Sequence, residues 1–294
     1  MAVVVSVTHI MALPADHSPP RFFDRDLLAW RQARAQALGA ETFLLDRVAQ
    51  DMVERLGTVL RNFSQSADIG SPTPAVARAL ISSGHTIFRL ALPQKDSEAL
   101  SLTPQSLDLA VSALALQFVN DLPGTLAQIR RALKPDGLFM AALVGGDTLM
   151  ELRQSFAAAE MEAEGGLSPR IAPMIAVRDA GALLQRAGFA LPVTDVDRIV
   201  VRYDHAFVLM QDLRRMGATN ILTERRRTPL RRATLLKMAQ IYGERFGDPD
   251  GRIRATFDIV WMSGWAPHDS QQKPLKPGSG KMSLAEAVKN ARER

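Results

Sequence analysis

Short apolar runs alternate with amphipathic stretches between residues 62 and 144, and this alternation constrains the fold more than any other feature. Four runs have the length and apolar content of buried strands, at residues 62–69, 86–92, 107–114 and 138–144. Strands that alternate with helices usually pair in parallel through right-handed crossovers. The sequence therefore predicts an α/β fold with helices on both faces of a parallel sheet. A ligand would lie beyond the carboxyl ends of its strands.

The flanking segments extend this pattern. Residues 22–56 carry apolar side chains at spacings of three and four, which predicts a helix that ends at Gly57. Later segments predict a helix at 177–187, a strand that ends near Tyr203 and a last strand at about 256–262. We therefore expect a loose lead at residues 1–22, one domain at 23–264 with a helical insertion at about 205–246, and a basic tail at 265–294.

Composition excludes several classes of site. The chain has 294 residues and no cysteine, so it has no disulfide, no thiolate metal ligand and no cysteine nucleophile. None of the five histidines has a histidine or carboxylate at the helical spacing of a metal site, so no metal site is predicted from local spacing. A non-haem iron triad assembled from distant residues stays open, with Asp204, His205 and His268 as its candidates. No apolar run approaches the roughly 18 residues of a membrane helix, and no basic residue flanks the start. These features favour a cytoplasmic protein.

The net charge of +5 is concentrated in two segments. Residues 224–232 and residues 273–294 each carry a net +4, so the rest of the chain sums to −3. The first segment has no interleaved aromatic residues, which argues against nucleic acid as a partner. Three interpretations of this segment stay open. It docks on an acidic protein, it docks on the anionic inner face of a membrane, or it is a solvated loop without a partner. The arginines concerned are Arg225, Arg226, Arg227, Arg231 and Arg232.

A glycine turn follows the first predicted strand. Gly70 comes before Ser71-Pro72-Thr73-Pro74 and a predicted helix. A free helix amino end beside a glycine turn is where a nucleotide-like cofactor binds. However, Pro72 and Pro74 supply no N–H donors. The segment is therefore interpreted either as a cofactor loop or as a plain turn with proline in the first turn of the helix.

Acidic residues after the fourth strand form a second candidate site. Asp147 follows Gly145-Gly146 and is interpreted either as a helix N-cap or as a ligand-facing residue at the carboxyl edge of the sheet. Glu160, Glu162 and Glu164 form an acidic cluster. The cluster is either a solvated face or a place where carboxylates hold a guanidinium group in bidentate fashion.

Several motifs resemble those of known families. Asp68-Ile69-Gly70, residues 107–112, residues 118–123 and residues 133–137 resemble class I S-adenosylmethionine-dependent methyltransferases that act on biotin precursors and quinones. Segments after Gly145 are similar to the family of a mitochondrial complex I assembly factor, a methyltransferase-fold protein assigned as an arginine hydroxylase. These segments are Gly145 to Leu149, 159–169, 212–217 and 264–271, and the resemblance covers about residues 23–286.

The resemblance implies a Rossmann-like class I methyltransferase sheet with a helical insertion before the last strand. It also implies S-adenosylmethionine as cofactor, bound by Asp68, Gly70 and Asp96, with Asn120 at the pocket mouth. The sequence departs from the family at Pro72 and Pro74, which replace glycines. The second predicted strand also lacks the acidic residue that binds ribose, and residues 68–107 are short by about one helix and one strand.

Three functional hypotheses follow. The chain is a protein-modifying assembly factor for respiratory complex I, a small-molecule methyltransferase, or a binding protein that has lost its cofactor. Under the first hypothesis the partner is a complex I subunit, and Asp147, Glu160 and Glu164 are the candidate catalytic or substrate-binding residues.

Overall fold

The computed structural model describes residues 21–93 and 98–272, which form an α/β fold around one six-stranded sheet. The strand order is β2-β1-β3-β4-β6-β5. The strands are β1 (Ser66–Ile69), β2 (Ile87–Leu90), β3 (Leu107–Ala113), β4 (Leu133–Gly145), β5 (Ala190–Tyr203) and β6 (Ile253–Trp265).

The prediction of a parallel sheet is correct for five strands and wrong for one. Strand β1 pairs in parallel with β2 and β3, and β3 pairs in parallel with β4. Strand β6 lies between β4 and β5 and runs antiparallel to both. Strand β5 ends and β6 begins at the same edge of the sheet, where Tyr203 pairs with Ile253, and two helices connect them there.

Helices cover both faces of the sheet, as predicted. On one face, α2, α3, α5, α7 and α8 pack on β-strand side chains such as Val111 and Ile259. On the other face, α4 and α6 pack on Phe139 and Val260. The helices are α1 (Arg25–Ala37), α2 (Phe43–Gly57), α3 (Ala75–Ser82), α4 (Leu122–Ala132), α5 (Met150–Glu164), α6 (Val177–Arg186), α7 (Ala206–Arg215) and α8 (Arg232–Phe246).

Some predicted boundaries are wrong. Residues 22–56 form two helices, because the chain turns at Gly39, whose φ of +80° suits glycine. Strand β1 begins at Ser66 and not at residue 62. Strand β4 begins at Leu133 and not at residue 138, and Asp136 within it has a φ of +63°.

Helices α7 and α8 lie between β5 and β6, which is the helical insertion that the fold prediction expects before the last strand. No helix in residues 21–93 or 98–272 is long and apolar enough to cross a membrane. The first 20 residues of the predicted lead, Asp96 and residues 273–294 of the predicted tail lie outside the described residues.

Candidate functional site

A cavity of about 380 Å³ lies at the carboxyl ends of the central strands, and we call it the edge cavity. Thr73 after β1, Leu114 after β3 and Val144 near the end of β4 line it. Side chains of α1, α2, α5 and α7 close it, together with residues 170–174 and 215–221. Most of its lining is apolar, including Leu45, Leu152, Phe156, Met210 and Phe257. The cavity is therefore where the fold predicts a ligand.

Five arginines line the edge cavity, and four of them pair with carboxylates of this chain. Among the described residues, Arg31 is the exception, because no ion pair joins it to a carboxylate. Its Nη1 donates to the carbonyl oxygen of Asn220, and its Nε is buried without an acceptor. The pairs are Arg170 with Glu160, Arg226 with Glu164, Arg225 with Asp24 and Arg215 with Glu41.

Glu160 does not lie on a solvated face, because only 1% of its surface is exposed. Its Oε1 accepts a hydrogen bond from Nε of Arg170 at 2.7 Å, and its Oε2 accepts one from the backbone N–H of Ser168 at 2.7 Å. Both bonds attach the segment after α5, residues 165–176, which we call the wall segment because part of it lines the edge cavity. The carboxylate proposed to hold a guanidinium group does so, but the guanidinium belongs to this chain.

Glu164 holds two partners from the helical insertion. Its Oε1 accepts a hydrogen bond from the hydroxyl of Thr234 at 2.6 Å, and its Oε2 accepts one from Nη1 of Arg226. The hydrogen bond from Thr234, then the contact with Arg226, holds the pKa of Glu164 below its ordinary value. Glu162 of the same predicted cluster is exposed and pairs with Lys237 at 2.8 Å. The cluster therefore divides between one exposed carboxylate and two that are engaged at the cavity side.

Asp147 does not cap α5, whose N-cap is Leu149 in the left-handed region. Its Oδ2 instead accepts a hydrogen bond from Nη2 of Arg198 at 2.7 Å. Arg198 also donates to both oxygens of Asp258, at 2.7 and 2.8 Å. Asp258 is 2% exposed, and these bonds from Arg198 lower its pKa. Asp147 thus belongs to a network that joins β4, β5 and β6.

The glycine pair before Asp147 makes room for this network. Gly146 has a φ of +55°, and a Cβ there would lie 2.5 Å from Oδ2 of Asp258. A Cβ on Gly145 would lie 2.5 Å from Cγ2 of Val260 and 2.7 Å from the carbonyl oxygen of Ile175. The pair is therefore explained by close packing.

Leu92 packs over Gly70 in the glycine turn after β1, whereas Pro72 and Thr73 of the same turn line the edge cavity. Gly70 has a φ of +77°, and a Cβ there would lie 2.5 Å from Cγ of Leu92 and 3.3 Å from Cβ of Ala115. Nη2 of Arg89, at the end of β2, donates to the carbonyl oxygen of Ser71 at 2.6 Å. A cofactor that approached Gly70 from this side would meet Leu92. At this turn the described residues do not fit S-adenosylmethionine in the manner that the resemblance implies.

The remaining predicted cofactor residues are engaged elsewhere or buried. Asp68 is 1% exposed, and neither of its carboxylate oxygens has a hydrogen-bond partner of good geometry. Burial raises its pKa, although Ser71 and Arg89 oppose the rise. Asn120 binds the backbone of Phe23 through both ends of its side-chain amide, at 2.8 and 3.2 Å. Within residues 21–93 and 98–272, no group of three histidine, aspartate or glutamate side chains is arranged to hold a metal ion.

Comparison with known proteins gives the family. The model of a family described as a methyltransferase domain matches residues 65–141. The chain is 38% identical over 290 residues to "Arginine-hydroxylase NDUFAF5, mitochondrial" from Danio rerio, which covers 91% of this chain and 89% of that relative. The Homo sapiens protein of the same name is 38% identical over 300 residues, or 94% of this chain and 87% of that relative. The chain belongs to the NDUFAF5 arginine-hydroxylase family.

Membership in the NDUFAF5 family confirms the resemblance inferred from the segments after Gly145. A shorter match, 39% identical over 188 residues, joins the chain to malonyl-[acyl-carrier protein] O-methyltransferase of Laribacter hongkongensis, covering 64% of this chain and 61% of that enzyme. The Haemonchus contortus phosphoethanolamine N-methyltransferase 2, solved with S-adenosyl-L-methionine, is 12% identical with a TM-score of 0.42, over 74% of this chain and 52% of that chain. The NDUFAF5 relatives therefore match along the whole domain, and the O-methyltransferase only along part of it.

Proposed function

We propose that this chain is a protein arginine hydroxylase that modifies a subunit of respiratory complex I and so supports its assembly. The observation that carries the proposal is the extent of the NDUFAF5 match, 91% of this chain. That match includes the wall segment and the helical insertion, which close the edge cavity. A match to the methyltransferase domain alone covers residues 65–141 and would not reach these parts.

The geometry supports a site for a guanidinium group at Glu164. Both carboxylates are bound inside the protein, Glu160 to Arg170 and to the backbone of Ser168, and Glu164 to Thr234 and Arg226. They differ in the exposure of the arginine partner, because the side chain of Arg170 is only 17% exposed. Glu164 is paired with Arg226, whose side chain is 33% exposed and lies between α7 and α8. An incoming guanidinium would replace that of Arg226 at Glu164, and the displaced side chain of Arg226 would turn into solvent. We therefore assign Glu164 as the carboxylate that receives the substrate arginine.

The residues of the chain would bind and orient the substrate. Hydroxylation inserts one oxygen atom into the substrate arginine, and an external oxidant would have to supply that oxygen atom. Glu164 would fix the end of the arginine side chain, while Leu152 and Phe156 exclude water along its aliphatic part. Asp147 is committed to Arg198, and no role in the reaction is assigned to it.

A deletion strain tests the proposal. Without this chain, we expect complex I activity to fall. We also expect an arginine of a complex I subunit to lack the added oxygen atom that mass spectrometry detects in the wild type. Wild-type chain and Glu162→Gln should restore both, whereas Glu164→Gln should restore neither. Glu162 is the matched control because it lies on the same helix, is exposed and pairs with Lys237. Normal complex I and an unchanged arginine mass in the deletion strain would exclude the proposed function.

Two alternatives predict other outcomes. Partial similarity to the malonyl-[acyl-carrier protein] O-methyltransferase supports the methyltransferase alternative, in which the cofactor would have to displace Leu92 from Gly70. A binding protein without a reaction would restore complex I and leave no oxygen on the arginine.

A peripheral position at a membrane would depend on Arg227, Arg231 and Arg232, which are exposed, because Arg225 and Arg226 are paired within the protein.

A further inference from the structure

Arg31 is the feature of the edge cavity that the proposed function does not use. The side chain lines the cavity from α1. Its Nη1 bonds the carbonyl oxygen of Asn220, while its Nε is buried and has no acceptor among the described residues. Buried donors in proteins almost always have a partner. An unpaired guanidinium N–H at a cavity therefore indicates a group that the cavity receives.

The charges around Arg31 point to an anion. Burial lowers the pKa of Arg31, and Arg225 and Arg34 lower it further, while Asp24 acts in the opposite direction. Asp24 is itself paired with Nη2 of Arg225 at 3.1 Å and caps α1 at the backbone of Leu27. Since a partly buried cation beside like charges is destabilised, a negative charge next to Arg31 would stabilise the site.

Two further polar atoms limit what the anion can be. Oγ1 of Thr219 and Oε1 of Gln117 are buried, lack a hydrogen-bond partner and belong to residues that line the cavity. One free guanidinium N–H and one hydroxyl are few donors for a phosphate, which has three strong acceptor oxygens. They suit a carboxylate, and the apolar remainder of the lining suits an apolar body.

We propose that the edge cavity binds a small organic monocarboxylate with an apolar body, and that its carboxylate pairs with Arg31. This site shares the apolar lining of the edge cavity, including Phe156, with the proposed hydroxylation, but its charged residue is Arg31 and not Glu164. The carboxylate would accept a hydrogen bond from Nε of Arg31 and one from the hydroxyl of Thr219. The body would lie along Leu45, Phe156 and Met210.

Calorimetric titration of the full chain with octanoate and octanamide tests this inference. The two probes share their apolar chain and differ only in charge at the polar end. We expect octanoate to bind about tenfold more tightly, because a hydrogen bond to a charged group is worth roughly 1.5–3 kcal/mol. Equal affinities for the two probes, or no binding of octanoate, would overturn the inference even if every variant proved unstable.

Matched variants locate the carboxylate. Arg31→Gln should weaken octanoate binding about tenfold and abolish the preference over octanamide. Arg34→Gln is the control, because Arg34 lies on the same helix, also has a buried Nε without a partner, and does not line the cavity. Arg34→Gln should leave the preference unchanged.

Two outcomes would overturn the assignment. One is an equal loss of octanoate affinity in both variants, and the other is displacement of octanoate by S-adenosylmethionine, which would make Arg31 part of a cofactor site. The titration does not measure hydroxylation, so its result does not depend on the outcome of the Glu164 experiment.

Discussion

Two buried aspartates of this sheet have opposite electrostatic environments. Asp258 accepts three hydrogen bonds, two from Arg198 and one from the backbone of Asp147, and its pKa is lowered. Asp68 accepts none of good geometry, and Nε of Arg89 lies 3.5 Å from its Oδ2. Burial therefore dominates, and the pKa of Asp68 is raised. The same residue type stabilises the fold at one position and costs stability at the other.

We expect Asp68→Asn to stabilise the protein at neutral pH by roughly 1 kcal/mol, because it removes a buried charge without a hydrogen bond. A raised folded-state pKa means that the contribution of Asp68 is most favourable below the unfolded pKa of about 3.9 and is lost as pH rises through the folded value. The advantage of the variant should therefore disappear in acid. Urea unfolding at neutral pH and at about pH 4 measures both effects.

Asp258→Asn provides the control and has the opposite sign. Because the folded-state pKa of Asp258 is lowered, its contribution is present above the unfolded pKa and is lost as pH falls through the folded value. The variant should lose stability at neutral pH and approach the wild type in acid. Destabilisation by Asp68→Asn at neutral pH would contradict this account and indicate an unrecognised partner for Asp68.

The sequence points to Asp68 but not to Asp258, and it does not reveal the environment of either residue. Asp68 was placed correctly at the end of a buried strand, yet its partners come from residues 71 and 89. Asp258 carries no local signal in the sequence, because its partner Arg198 lies 60 positions away. Contacts between distant strands depend on strand order, and local patterns do not contain that information.

At the scale of elements, α5 positions the wall segment. The helix presents Glu160 inward and Glu162 outward, so two carboxylates two residues apart have different roles. Glu160 binds Arg170 and Ser168, and Asn220 adds a hydrogen bond to the carbonyl oxygen of Pro169. Few other polar contacts attach this part of the segment. The stability of the cavity wall therefore depends on Glu160.

We expect Glu160→Gln to release the wall segment and to expose the bond after Arg170 to trypsin. The substitution removes the charge that holds Arg170, which is only 17% exposed, and should cost about 2 kcal/mol. The rate of cleavage at Arg170 under native conditions, followed by mass spectrometry, is the measurement. Glu162→Gln should leave this rate unchanged, and equal rates for wild type and Glu160→Gln would show that other contacts hold the wall.

The sequence predicted most elements and their order, but not how β6 joins the sheet. Alternating apolar runs identified the strands near residues 107 and 138 because these are buried on both faces. The last strand was predicted at about residues 256–262, near its observed position, Ile253–Trp265. Strand β6 runs antiparallel to β5 because α7 and α8 connect the two strands at one edge of the sheet, where Tyr203 pairs with Ile253. Periodicity is the same for either direction.

At the scale of the whole molecule, residues 65–141 and the later part of the chain differ in the space that they offer to a ligand. Residues 65–141 match a methyltransferase domain, yet the glycine turn in this part is covered by Leu92 and bridged by Arg89. The later part, from Gly145 onward, closes a cavity and carries the guanidinium–carboxylate pairs. The ligand-binding capacity of the fold therefore lies in the edge cavity more than at the glycine turn.

This difference predicts that S-adenosylmethionine does not stabilise the protein. A ligand present at 100 times its dissociation constant raises the free energy of unfolding by about 2.7 kcal/mol, which a thermal unfolding assay detects. We expect no shift at millimolar S-adenosylmethionine, because Leu92 occupies the approach to Gly70 and Pro72 and Pro74 offer no N–H groups. The O-methyltransferase of Laribacter hongkongensis serves as a second protein in the same assay. A shift for this chain would support the methyltransferase alternative, and a shift that appears only in Leu92→Ala would identify Leu92 as the group that closes the cofactor site.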